Sequence, residues 1–213
     1  MNIAVLKTLV FIAALVPCVQ LIIGIATNDL TANPIEYITH QTGWFALMFL
    51  TSSLSVTPVR KLTRWQPIIR FRRMLGLFAF FYGTLHLLTW FVFDKFFAIP
   101  AMVEDVMMRP FITLGMATYL MLFPLALTST AGMVRRLGGK RWRALHQLVY
   151  VAAITAVTHF WWLVKSDVRE PQRWALGVAL LLGLRAFWKY QERVRTTALR
   201  HAGVNSGLYN GGR

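Results

Sequence analysis

The chain contains six long apolar segments separated by short polar stretches. They lie at about 8–26, 42–58, 74–93, 111–130, 145–164 and 174–190. A helix needs ~20 residues to cross the ~30 Å hydrocarbon layer of a membrane, and each segment meets or approaches that length. Apolar and polar residues do not alternate as they do in the strands of a barrel. The pattern therefore predicts an all-α integral membrane protein, a bundle of six transmembrane helices.

Basic residues are distributed unevenly among the connecting segments. The stretches 58–73 and 131–144 are rich in Arg and Lys, and further basic residues follow the sixth segment. The opposite side of the predicted bundle has fewer basic residues and most of the carboxylates; its basic residues are Lys95, Arg109, Lys165, Arg169 and Arg173. By the positive-inside rule, both termini are expected in the cytoplasm.

Composition narrows the class of protein further. The 213 residues are 56% hydrophobic and only 15% charged, yet the formal net charge is +15. Segregated basic loops that lie against anionic lipid headgroups explain this charge, so no nucleic-acid partner is expected. Cys18 is the single cysteine, which excludes an internal disulfide and a cysteine cluster for iron–sulfur or zinc.

Three histidines fall inside the predicted spans, where ionisable groups are costly and usually functional. His86 lies in the third segment, and His146 and His159 lie in the fifth. His40, in the first outer loop, and His201, in the tail, are expected to be solvated.

The topology predicts the depth of each of these rings. His86 lies 13 residues beyond Arg73, or ~20 Å of helix rise, and His159 lies 13 residues beyond His146. His86 and His159 should therefore lie at one height in the outer half of the membrane. Two imidazoles at matched height are suited to bind the iron of a haem b, one from each face. His146 should lie at the inner edge, level with Arg72 and Arg73.

Other interpretations of these residues remain open. A histidine in a span also forms simple hydrogen bonds to Ser, Thr or Tyr of a neighbouring helix. His146 is either a ligand or an interfacial polar residue, since 13 positions turn it ~140° away from His159. Arg72 and Arg73 either signal topology or hold the anionic edge of a cofactor. The sequence has no G-x-G-x-x-G, Walker, G-x-S-x-G or H-E-x-x-H motif, so electrons must come from a separate donor and pass to a separate acceptor.

Two long stretches carry a resemblance to a known family. "RRMLGLFAFFYGTLHLLTW" at 72–90 and "LTSTAGMVRRLGGKRWRALHQLVYVAAITAVTHFWWLVKSD" at 127–167 resemble the MsrQ (YedZ) family of haem-binding membrane subunits, within the ferric-reductase-like transmembrane group. The resemblance implies a ferric-reductase-like six-helix transmembrane domain over 1–195. The short tail over 196–213 is Gly-rich and weakly apolar, so it is expected to be flexible. It also implies residence in the bacterial inner membrane.

The resemblance also implies cofactors and partners. His86, His146 and His159 match the family's haem-associated histidines, while Arg72 lies near the fourth position, so one or two haems are expected. FMN is implied without an identifiable site. Electrons are expected to pass from quinol or a cytoplasmic flavin reductase to a periplasmic molybdopterin-containing subunit that reduces methionine sulfoxide in envelope proteins.

Three functions are consistent with these observations. The first is an electron-transfer subunit that is not itself the sulfoxide-reducing catalyst. The second is a stand-alone transmembrane ferric or cupric reductase. The third is a non-redox transporter whose histidines relay protons, which a visible absorption spectrum would distinguish from the other two.

Overall fold

A computed structural model describes the backbone of residues 2–164 and 166–209 and the side chains of these residues up to Ala198. Over these residues the chain is helical and contains no strand. The longer helices are α1 (Ile3–Ala26), α2 (Pro34–Thr63), α3 (Arg72–Leu88), α5 (Pro110–Leu127), α8 (Leu148–Leu163) and α9 (Arg169–Tyr209). Three short helices join them: α4 (Ile99–Met108), α6 (Ala131–Leu137) and α7 (Gly139–Leu145). The 3₁₀ segment Gln66–Phe71 leads into α3, and the π-helical segment Thr89–Asp94 extends it.

All six predicted apolar segments are found as helices. Within the described residues, four helical segments are long and apolar enough to cross a membrane by length and composition: Ile3–Ala26, Pro34–Thr63, Gln66–Asp94 and Pro110–Leu127. The helix of the fifth segment, α8, has 16 residues. The count of six spans and the cytoplasmic placement of both termini stay predictions.

The structure refines several boundaries. His40 lies on the exposed side of α2 and not in a loop, because α2 already begins at Pro34, with Asn33 as its N-cap. The segment predicted at 145–164 is broken near its start, and His146 caps α7 before α8 begins at Leu148. The side chain of His201 and residues 210–213 lie outside the described part of the chain, so the flexible tail stays a prediction.

The core is formed by two antiparallel helix pairs. Helix α2 packs along α3, and α5 packs along α8. Their contacts include fully buried alanines, Ala79, Ala152 and Ala153. Small residues allow helix backbones to approach closely, which is the usual way in which membrane helices associate.

Helix α1 lies at the edge of this core and exposes most of its apolar side chains. Its main polar attachment is the fully buried hydroxyl of Tyr82, which donates to the Ala14 carbonyl at 2.7 Å and accepts from the Cys18 amide at 3.2 Å. An undistorted helix would join those two backbone groups directly. Pro17 disturbs α1 at this point, and the hydroxyl of Tyr82 bridges the opening.

Candidate functional site

His86 and His159 lie beside one another between the two helix pairs. His86 is on α3 and His159 is on α8, and both side chains are half-buried. Their ring centroids are 6.1 Å apart, and the ring planes are inclined by 75°. The juxtaposition predicted from the matched depths of these two residues is therefore present in the structure.

Each of these imidazoles is oriented by a backbone carbonyl of the paired helix. The Nδ1 atom of His86 lies 2.9 Å from the carbonyl oxygen of Thr39 on α2. The Nδ1 atom of His159 lies 2.6 Å from the carbonyl oxygen of Phe111 on α5. A carbonyl oxygen only accepts, so Nδ1 carries the proton in both rings. Nε2 then keeps its lone pair, which is the arrangement found in metal-binding histidines.

The spacing of the two rings fits one metal ion between them. Metal–imidazole bonds are about 2 Å long, and with half a ring's width on each side they place the two ring centres about 6 Å apart. No group of three or more His, Cys, Asp or Glu side chains suited to a metal occurs among the described residues. Two protein nitrogens are enough for a haem, because the porphyrin supplies the other ligands of the iron. The residues at this site therefore fit a haem held by His86 and His159.

The surroundings of His146 differ from those of the outer pair. Its Nε2 atom lies 3.1 Å from the hydroxyl of Thr128, and its ring stacks on Trp142 with 3.9 Å between centroids. The indole of Trp142 in turn donates to the Thr128 carbonyl at 2.9 Å. Among the described residues, Nε2 thus has no hydrogen-bond partner in His86 and His159, whereas in His146 it is the nitrogen that has one.

The structure separates the two arginines that the sequence placed near His146. Arg72, the first residue of α3, is half-buried and lies close enough to His146 for their charges to interact. Its carbonyl accepts from Ser53 at 3.0 Å. The side chain of Arg73 is exposed. Of these two arginines, Arg72 is thus the one whose charge reaches His146, and among the described residues no other imidazole stacks on His146 or forms a hydrogen bond with it.

Arg185 is a half-buried arginine for which the sequence predicted no role. It lies inside the apolar stretch 174–190, on α9, and its guanidinium donates to the Tyr150 hydroxyl and to the Leu54 carbonyl. Its Nε atom is buried and has no partner among the described residues. The signal was available, because a lone arginine inside an apolar span is costly unless it has a specific partner. The partner carbonyls of Thr39 and Phe111 gave no such signal.

Comparison with known proteins gives a consistent result. The family described as "Ferric reductase like transmembrane component" matches residues 39–157, which include His86 and His146. A protein of Herminiimonas arsenicoxydans named protein-methionine-sulfoxide reductase heme-binding subunit MsrQ is 50% identical over 196 residues, covering 91% of this chain and 90% of that protein.

Proteins of the same name from other bacteria show similar identity. The Rhodospirillum rubrum protein is 51% identical over 176 residues, covering 83% of this chain and 85% of its own. The Ralstonia nicotianae protein is 47% identical over 184 residues, covering 85% of each chain. No solved structure matches this chain.

Proposed function

The chain belongs to the MsrQ family, within the ferric-reductase-like transmembrane group, and on this basis we propose that it is a haem-carrying electron-transfer subunit of a methionine sulfoxide reductase system. It lies in the bacterial inner membrane as six spans, with both termini in the cytoplasm. The observation that carries the proposal is the imidazole pair of His86 and His159, with 6.1 Å between ring centres and a carbonyl on each Nδ1.

Haem b supplies one-electron redox chemistry when bound, and the pair of histidines determines how this chain uses it. A haem that took both His86 and His159 as ligands would keep no iron position open to oxygen or substrate, which favours electron transfer over catalysis. The two Nδ1–carbonyl hydrogen bonds fix the orientation of the rings and make them stronger ligands. The chain therefore transfers electrons, and the sulfoxide is reduced on another subunit.

The proposed route runs from the cytoplasmic side to the periplasm. The donor is quinol or a cytoplasmic flavin reductase, and the acceptor is a periplasmic molybdopterin-containing subunit. Reduction of one methionine sulfoxide to the thioether consumes two electrons and two protons and releases water. This chain must therefore deliver two electrons for each methionine repaired.

The same proposal says which residues would hold any second cofactor at the inner end. His146 would bind it on one side, and Arg72 or the exposed Arg73 would hold its anionic edge. A guanidinium has no free lone pair for iron but pairs well with carboxylate or phosphate. The family resemblance implies one or two haems and also FMN, for which it identifies no residues of this chain.

The test of the outer site is an absorption and EPR spectrum of the purified protein. We expect a low-spin, six-coordinate haem signal in the wild type, and loss of most of it in His86→Ala and in His159→Ala, because each variant removes one axial nitrogen. His40→Ala is the matched control, since His40 is exposed on α2. Full haem content and an unchanged spectrum in both single variants would refute the assignment.

A stand-alone ferric or cupric reductase is the second candidate, favoured by the family described as ferric-reductase-like. The two functions differ in what they require for turnover. An electron-transfer subunit, once reduced, should be reoxidised quickly only when the periplasmic subunit and a sulfoxide are present. Rapid reoxidation by ferric or cupric chelates alone, with no acceleration by the periplasmic subunit, would favour the reductase.

A further inference from the structure

The two imidazoles of the outer site are held by two slots of the same construction. In each slot, one helix provides a backbone carbonyl and, four residues later on the same face, a glycine. On α2 these are Thr39 and Gly43, which meet His86. On α5 the carbonyl of Phe111 meets His159, and the glycine of that helix is Gly115. The repeated arrangement in both helix pairs argues against a chance contact.

Each glycine is in close contact with the ring that it faces. A Cβ atom at Gly43 would lie 3.0 Å from both Cε1 and Nδ1 of His86. A Cβ atom at Gly115 would lie 2.9 Å from Cε1, 3.0 Å from Nδ1 and 3.4 Å from Nε2 of His159. Carbon and nitrogen atoms normally approach to about 3.5 Å, so no larger residue fits while the ring keeps its place.

We propose that Gly43 and Gly115 are positioning residues for the axial histidines, a role that rests on the proposed haem function. By leaving out a side chain, each glycine lets the imidazole lie against the helix backbone, where its Nδ1 reaches the carbonyl one turn away. The ring is then held by a hydrogen bond on one edge and by contact with the helix beside it. Its Nε2 atom remains directed away from the slot, toward the other ring.

A methyl group at either position should displace the ring by a few tenths of an ångström. This lengthens the Nδ1–carbonyl hydrogen bond and turns Nε2 away from its partner across the site. Loss of comparable supporting contacts lowers metal affinity by about 10- to 100-fold. Gly115→Ala should have the larger effect, because its Cβ also approaches Nε2, the nitrogen that would bind the metal.

The experiment compares Gly43→Ala and Gly115→Ala with Gly83→Ala in the full chain. Gly83 is the matched control, because it lies on α3 with His86 and a Cβ there meets no atom within 4 Å. For each purified protein we would measure haem content, the haem dissociation rate, the EPR g-values of the low-spin signal and the midpoint potential. We expect weaker haem binding, shifted g-values and a shifted potential in the first two variants, and wild-type behaviour in Gly83→Ala.

A second comparison separates positioning of the ring from general packing. In a His159→Ala background the ring is absent, so Gly115→Ala should no longer lower the thermal stability of the detergent-solubilised protein. An equal loss of stability with and without the ring would overturn the proposal, and this comparison needs no bound haem.

The outcomes also distinguish the inference from the proposed function. If His86→Ala and His159→Ala lose haem while both glycine variants match the wild type, the function stands and the positioning role is wrong. If the wild type binds no haem, both are wrong. Two results together support the positioning role. The altered spectra are confined to Gly43→Ala and Gly115→Ala, and Gly115→Ala no longer lowers the stability in the His159→Ala background.

Discussion

Among single residues, the three histidines of the spans differ in which ring nitrogen the protein engages. His86 and His159 use Nδ1 and leave Nε2 available, whereas His146 has its Nε2 next to the Thr128 hydroxyl. A ligand role for His146 therefore requires that nitrogen to exchange its contact with Thr128 for the metal. The outer pair needs no such exchange, so the two ends of the site should be spectroscopically distinct.

The inner site yields a prediction at this scale. His146→Ala should remove the inner cofactor and leave the outer low-spin haem in place. Arg72→His should add a second low-spin signal, because an imidazole would then lie opposite His146. The 14-residue spacing places this position on the same face of α3 as His86. Cofactor counting and EPR of both variants provide the measurement, with Arg70→His, at an exposed position in the segment before α3, as the control. If the first loses no cofactor and the second gains no signal, the inner site is not built from these residues.

The pairing of His86 with His159 could be predicted because it depends only on depth along two helices that start from the same side of the membrane, which residue counting gives. The slots that hold the rings could not be predicted. They depend on the rotation of α2 and α5 about their axes. They also depend on the backbone carbonyls of Thr39 and Phe111, and every residue has such a carbonyl, so residue type does not show which ones contact an imidazole. Gly43 and Gly115 cannot be told by sequence from other glycines of membrane helices, where glycine is frequent.

At the level of helices, two interior prolines are each met by a polar side chain from another helix. In α1, the hydroxyl of Tyr82 joins the backbone groups around Pro17. In α2, Pro58 has no N–H, so the carbonyl of Leu54 lacks its helical partner and accepts from Arg185 instead. Proline is tolerated in membrane helices where a neighbour satisfies the freed backbone group. This explains an arginine inside the apolar stretch of α9.

The pairing of Arg185 with the proline gap predicts a coupled effect on stability. Arg185→Met should lower the free energy of unfolding by about 1–3 kcal/mol, because it leaves the buried Leu54 carbonyl and the Tyr150 hydroxyl without their donor. In a Pro58→Ala background the restored N–H satisfies Leu54, so the same substitution should cost less. Thermal unfolding in detergent of the two single variants and the double variant measures the coupling. Equal costs in both backgrounds would show that Arg185 does not serve the proline gap.

For the molecule as a whole, the two basic segments of the sequence lie at one end of the bundle. Arg72 at the start of α3 lies near His146, which precedes α8, and Arg185 joins Tyr150 of α8 to the last third of α2. The opposite end has most of the acidic groups, including Asp105, which pairs with Lys95 and Arg109. The segregation of charge read from the sequence is thus present in three dimensions, because it follows from the alternating direction of the helices. Which end faces the cytoplasm stays a prediction from the positive-inside rule.

The basic end predicts how a soluble electron donor should approach. Exposed arginines and lysines such as Arg135, Lys140 and Arg141 would attract an acidic flavoprotein, and such steering raises association rates by about 10-fold or more at low salt. The rate of haem reduction by a cytoplasmic flavin reductase should therefore fall as ionic strength rises past about 0.1 M, where the Debye length is about 10 Å.

Lys140→Gln combined with Arg141→Gln should slow reduction at low salt and make the rate less dependent on salt. Arg173→Gln, exposed at the other end, should do neither. Stopped-flow reduction at several salt concentrations tests this, and a rate insensitive to salt would exclude electrostatic docking while leaving the orientation of the helices unaffected.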